Sequence, residues 1–127
     1  MHHSRLCTFV LDCQVEDLTA SVEFWSRALG KPVGSTDSEG DGHYAELHTE
    51  NDEPLLLLQR VRHPSRVHLD IETDDMPAEV ARLEKLGAKR IEFVKRWWVM
   101  EAPSGHRFCV VSKQRAEFGP HLNEWNG

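Results

Sequence analysis

One stretch of this sequence occurs twice. Residues 10–22, "VLDCQVEDLTASV", and residues 68–80, "HLDIETDDMPAEV", align at an offset of 58 positions. Leu11 and Leu69, Asp12 and Asp70, Asp17 and Asp75, Ala20 and Ala78, and Val22 and Val80 are identical pairs. Each copy runs on into an amphipathic stretch ending in Leu-Gly, at Leu29-Gly30 and Leu86-Gly87, one residue out of step. A self-similar chain of 127 residues is held to folds built from two like modules.

The order of elements around the repeat says what each module is. "RVHLDIETDD" (66–75) alternates Val67, Leu69 and Ile71 with His68, Asp70 and Glu72, the period-two pattern of a half-buried strand. In both copies such a strand leads to an aspartate placed as a helix N-cap, Asp17 or Asp75. Leu18, Val22, Trp25 and Leu29 then fall at helical spacing, as do Met76, Val80, Leu83 and Leu86, and a glycine closes each helix. Strand segments follow near 32–37, 43–49 and 54–60, and again at 89–94, 97–102 and 107–112, separated by the turns "SEGDG", "TENDEP" and "APSGH". The reading is βαβββ repeated: module one at about 6–61, module two at about 66–112, and a tail at 113–127, all in one domain covering 1–127.

Composition narrows the partners. A formal charge of −6 opposes binding to nucleic acid or an anionic membrane, both of which want a basic surface. The longest apolar run, "PLLLLQ", is the size of a strand and not of a membrane span, and the N-terminus lacks a signal-peptide pattern. Three cysteines (Cys7, Cys13, Cys109), odd in number and without a C-x-x-C pair, accord with free thiols in a reducing cytoplasm.

The duplicated βαβββ plan resembles the vicinal oxygen chelate superfamily, which holds the glyoxalases, bleomycin-resistance proteins and extradiol dioxygenases. "DLTASVEFWSRALGKPV" looks like its first helix and second strand, "HLDIETDDMPAEVARLEKLGA" like the start of its second module, and "WWVMEAPSGHRFCVV" like its closing hairpin. "RVHLD", "FCVV" and the tail ending in Trp125 are similar to its glyoxalase-like domains. The resemblance implies an α+β fold in which two tandem βαβββ modules form a curved mixed sheet around a shared cavity, and it implies a homodimer.

Strand alternation assigns the residues that would line such a cavity. Phe9, Leu11 and Cys13 go to the helices and leave Val10 and Asp12 on the other face, while Leu56 and Leu58 leave Leu57 and Gln59. His68 and Asp70 lie opposite Leu69 and Ile71, and Phe108 and Val110 leave Cys109. Trp97 and Trp98 point to opposite faces, and Trp98 is taken as the one on the wall. Val10, Leu57, Gln59, Trp98 and Cys109 are thus the candidate ligand-binding residues. An apolar wall with few polar anchors suits a small, aromatic or heterocyclic molecule.

The resemblance also raises a metal, because metal-dependent members hold a divalent ion through one residue from each of four strands. Those positions fall on Val10, on Leu57 or Gln59, on His68 and on Cys109, and only His68 is a firm match. Asp12 and Asp70 sit two residues beyond, about 6.6 Å along a strand. The expectation is therefore a pocket with no cofactor, a divalent metal being disfavoured. An enzyme is the alternative, of lyase, isomerase or dioxygenase type, using a rebuilt metal site or Asp12, His68 and Asp70 as acid/base groups. Phe118, Leu122 and Trp125 in the tail need a surface to cover, on this chain or on a second subunit.

Overall fold

The computed structural model describes residues 1–36, 42–115 and 117–126. Its elements follow the order β-α-β-β-β twice, with one further strand at the end. The contacts divide the chain into two compact units, Thr8–Val67 on one side and Met1–Cys7 with His68–Gly127 on the other.

The Thr8–Val67 unit takes the second half of β1 (His2–Cys13), α1 (Thr19–Leu29), β2 (Val33–Thr36), β3 (Tyr44–Leu47) and β4 (Leu55–Arg60). Its strands run β2-β3-β4-β1. β1 and β4 are parallel, as a strand-helix-strand connection requires, and the other pairs are antiparallel. Cys13, Leu18, Ala45, Leu47 and Leu58 form the core, and Leu11, Val22, Trp25 and Leu56 pack against it. Leu11 and Cys13 thus meet the helix as alternation requires, whereas Phe9 and Leu29 remain exposed. Burial pushes the Cys13 thiol above its ordinary 9.0, and the neighbouring Asp12 charge adds to that against a hydrogen bond with Ser21. It stays a neutral thiol that donates to the Leu11 carbonyl at 3.4 Å. Most of the turn "SEGDG" lies outside the described residues.

The other unit contains β5 (Arg66–Thr73) from His68 onward, α2 (Met76–Lys85), β6 (Lys89–Val94), β7 (Trp97–Glu101) and β8 (Arg107–Ser112). The first half of β1 and β9 (Asn123–Trp125) complete it. β5 lies between β1 and β8, and the sheet continues through β7 to β6. β5 and β8 are parallel, matching β1 and β4. Val80 and Leu83 of α2 close with Met100 and Val110 into a second core, flanked by Ile71, Trp98 and Phe108. Both units are therefore mixed α+β modules of the predicted plan. The sequence did not foresee β9, or the start of β1 at His2. β9 pairs His2 with Trp125 and His3 with Glu124 in antiparallel register. Trp125 is covered by its own chain: its indole N–H donates to Ser4 Oγ at 2.8 Å, and the Arg82 guanidinium lies 3.9 Å from its ring centroid.

The two aspartates that the repeat equates act differently. Asp75 caps α2, accepting from the Ala78 N–H at 3.1 Å. Asp17 stands one residue ahead of the cap position, which Leu18 holds, and accepts from the Thr19 N–H at 2.7 Å in an Asx turn. Asp75→Ala is accordingly expected to cost about 1 kcal/mol in urea unfolding, and Asp17→Ala clearly less. Equal losses would contradict this difference between the helix starts.

Candidate functional site

β5 turns Ile71 toward α2 and presents His68, Asp70 and Glu72 on the opposite face. Backbone register aligns Asp70 with Cys109 on β8, and Cys109 with Val99 on β7. Neighbouring strands stand about 4.8 Å apart, so side chains in register on one face meet. His68 Nε2 lies 3.3 Å from Asp70 Oδ1, with both side chains mostly buried. Cys109 is a buried free thiol, and the three donor atoms of His68, Asp70 and Cys109 all fall within 4.8 Å of one another. Asp70 Oδ1 is buried and receives no hydrogen bond. A buried carboxylate oxygen without a donor is costly, and such atoms commonly mark the place of a ligand, ion or water.

This corrects the spacing argument against Asp70. Two residues along a strand separate Cα atoms by about 6.6 Å, but the His68 and Asp70 side chains lean together and close that interval to 3.3 Å. Imidazole, carboxylate and thiol offer N, O and S donors that together suit a divalent transition metal. His68 is therefore not a solitary donor.

The tryptophans are resolved by register. Trp98 aligns with Val110 and packs into the α2-side core, edge-on to Phe93 at 5.3 Å between ring centroids. Trp97 is thus the tryptophan on the face of Val99 and Cys109, in place of Trp98. Two residues beyond Asp70 on β5, Glu72 has partners that sequence reasoning missed. Glu72 accepts from Arg5 Nε at 2.7 Å and from the Gln114 N–H at 2.9 Å, and Arg5 Nη1 donates to the Pro120 carbonyl at 2.6 Å. Arg5 Nη2 is buried with no acceptor. Arg5 lies outside the repeat, in a strand end that the sequence did not foresee, so no signal pointed to it.

In the Thr8–Val67 unit, Val10 aligns with Leu57, and Asp12 aligns with Gln59, which in turn aligns with Tyr44. Val10 is buried and has no donor atom. The Asp12 carboxyl is buried, with His63 Nε2 at 3.9 Å and Arg66 Nε at 3.8 Å. Asp12 and Asp70 belong to different units, and within its own unit His68 has Asp70 beside it. Register also decides between Leu57 and Gln59. Asp12 faces Gln59 as Asp70 faces Cys109, so Gln59 is the repeat equivalent of Cys109.

The comparisons with known proteins agree with this architecture. The glyoxalase-like domain family matches residues 8–111. No curated protein sequence matches the chain. Among solved structures, methylmalonyl-CoA epimerase in complex with methylmalonyl-CoA and NH4+ is similar at a TM-score of 0.64 and 18% identity, covering 90% of this chain and 97% of that one. A variant of the Streptomyces coelicolor epimerase in complex with 2-nitronate-propionyl-CoA gives 0.64 and 19%, covering 89% and 96%. A Legionella pneumophila protein described as an NAD-dependent benzaldehyde dehydrogenase gives 0.60 and 14%, covering 82% and 97%. At such identities these likenesses establish the fold alone, and differently described proteins share it. With two βαβββ units and a family match spanning most of its length, the chain belongs to the glyoxalase-like domain family of the vicinal oxygen chelate superfamily.

Proposed function

We propose that the protein binds a small aromatic or heterocyclic molecule against the β5–β8 face, with His68 and Asp70 as its polar anchors. The observation that carries this reading is the buried Asp70 Oδ1, which makes no hydrogen bond and lies 3.3 Å from the His68 ring nitrogen. A ligand N–H or O–H would satisfy that oxygen, and Trp97 and Val99 supply apolar surface on the same face. Two of the similar solved structures hold acyl-CoA compounds, which supports the fold as a small-molecule receptacle. Val10, Asp12, Leu57 and Gln59 are the corresponding proposed recognition residues within the Thr8–Val67 unit. A cytoplasmic homodimer completes the reading, in keeping with three buried free cysteines and with no described helix long and apolar enough to cross a membrane.

The His68–Asp70 contact favours one second reading, an enzyme in which the imidazole moves a proton while the carboxylate orients it. A thermal-shift panel of aromatic, heterocyclic and acyl-CoA compounds tests the first reading. A specific ligand at a hundred times its Kd stabilises the native state by about 2.7 kcal/mol. That stabilisation is expected to fall sharply in His68→Ala and Asp70→Asn. Equal responses in the wild type and both variants would place the ligand elsewhere, and a panel without hits would remove the support for this reading. Turnover of a bound compound that disappears in His68→Ala would select the enzyme.

A further inference from the structure

We propose that His68, Asp70 and Cys109 form a three-donor site for a borderline-soft divalent cation of the zinc or cobalt type, built within one unit from β5 and β8 alone. The proposal goes beyond small-molecule binding and does not need it. It also departs from the four-strand ligand set that the superfamily resemblance implies, because Asp70 is not one of those positions and Val10 cannot coordinate.

Three observations carry it. The first is proximity, since one donor atom from each residue lies within 4.8 Å of the other two. In a tetrahedral site with bonds of 2.0–2.3 Å, neighbouring donors stand roughly 3.3–3.6 Å apart. His68 Nε2 and Asp70 Oδ1 already do so, at 3.3 Å. The second is Asp70 Oδ1, a buried acceptor that makes no hydrogen bond and whose charge a cation would compensate. The third is the donor set itself. Cys109 is buried and free, and a thiol becomes a strong ligand once a cation takes its proton. Thiolate together with imidazole selects zinc or cobalt over magnesium or calcium, which want oxygen alone. The pairing of Asp70 with Cys109 in parallel register fixes both backbones beneath the site. Three protein donors leave a fourth position for water or for a ligand atom.

The full-length protein is equilibrated with Zn2+ or Co2+, desalted and analysed for metal and by absorption spectroscopy. One equivalent per chain is expected, and the cobalt form should show a thiolate-to-cobalt charge-transfer band. Cys109→Ser should abolish that band, and His68→Ala and Asp70→Asn should each weaken binding by about 100-fold or more. Thermal melts of the apo variants confirm that they fold. Less than one tenth of an equivalent in the wild type overturns the proposal. So does binding that survives both Cys109→Ser and Asp70→Asn, since that metal would sit elsewhere. The cobalt band of the wild type decides the matter even if a variant fails to fold, because its absence overturns thiolate ligation directly. None of these readouts involves the small molecule, so failure here leaves the thermal-shift result standing.

Discussion

Glu79→Ala is expected to cost about 3–5 kcal/mol in urea unfolding, the range for removing one member of a buried charged pair. Glu79 is fully buried in the first turn of α2. It accepts from Arg82 through Nε and Nη2, both at 2.8 Å, and from His2 Nε2 at 2.8 Å. Alanine would leave the buried His2 ring and the Arg82 guanidinium facing an empty space, and would loosen Trp125, which rests on Arg82. The same carboxylate adds a pH dependence. Burial pushes it up, but hydrogen bonds from Arg82, His2 and Ser4 outweigh that and hold it below its ordinary 4.5. A lowered folded-state value stabilises the protein above about pH 4.5, and this contribution disappears as pH falls through the lower folded value. The wild type should therefore lose stability on acidification more steeply than Glu79→Gln. A loss below about 1 kcal/mol for Glu79→Ala would show that the network contributes no more than a surface pair.

Leu58→Ala is the second large effect, expected at about 2–5 kcal/mol. Leu58 is fully buried on β4, among Cys13, Leu18, Ala45 and Leu47, where close packing leaves the shortened side chain's volume empty. Phe24 on α1 provides the contrast. It is larger but 61% exposed, so Phe24→Ala should stay within about 0.5 kcal/mol. Comparable losses for the two would mean that Phe24 is covered in solution.

These two sites differ in how much of them the sequence disclosed. Leu58 lies in a strand with a clear alternation and joins the core as that alternation requires. The Glu79 network was hidden, because its partner His2 is 77 residues away and belongs to a strand end that the repeat does not contain. The face of His68, Asp70 and Cys109 followed from period two alone. The meeting of the three donors did not, because it depends on the β5–β8 register and on side chains leaning along the strand. Trp97 and Trp98 show the limit most plainly. Alternation says that they diverge, and only the pairing of Trp98 with Val110 says which one enters the core. The helix starts went the same way: Asp75 caps as expected, and a one-residue shift at Asp17 turned a cap into a local turn.

The division of β1 between the two units has a consequence for synthesis. Residues Thr8–Val67 are contiguous, so that unit is complete in the nascent chain before the second half of the protein is translated. The other unit draws on segments from either side of it. Its β1–β9 ladder joins His2 to Trp125, which closes a loop containing every other described element. Residues His2–Ser4 thus wait for Asn123–Trp125, which are made later, and the ladder's ordering entropy is met only once both are present. Hydrogen exchange during refolding should show amides of the Thr8–Val67 unit protected early, and those of His2–Ser4 and Asn123–Trp125 gaining protection together and last.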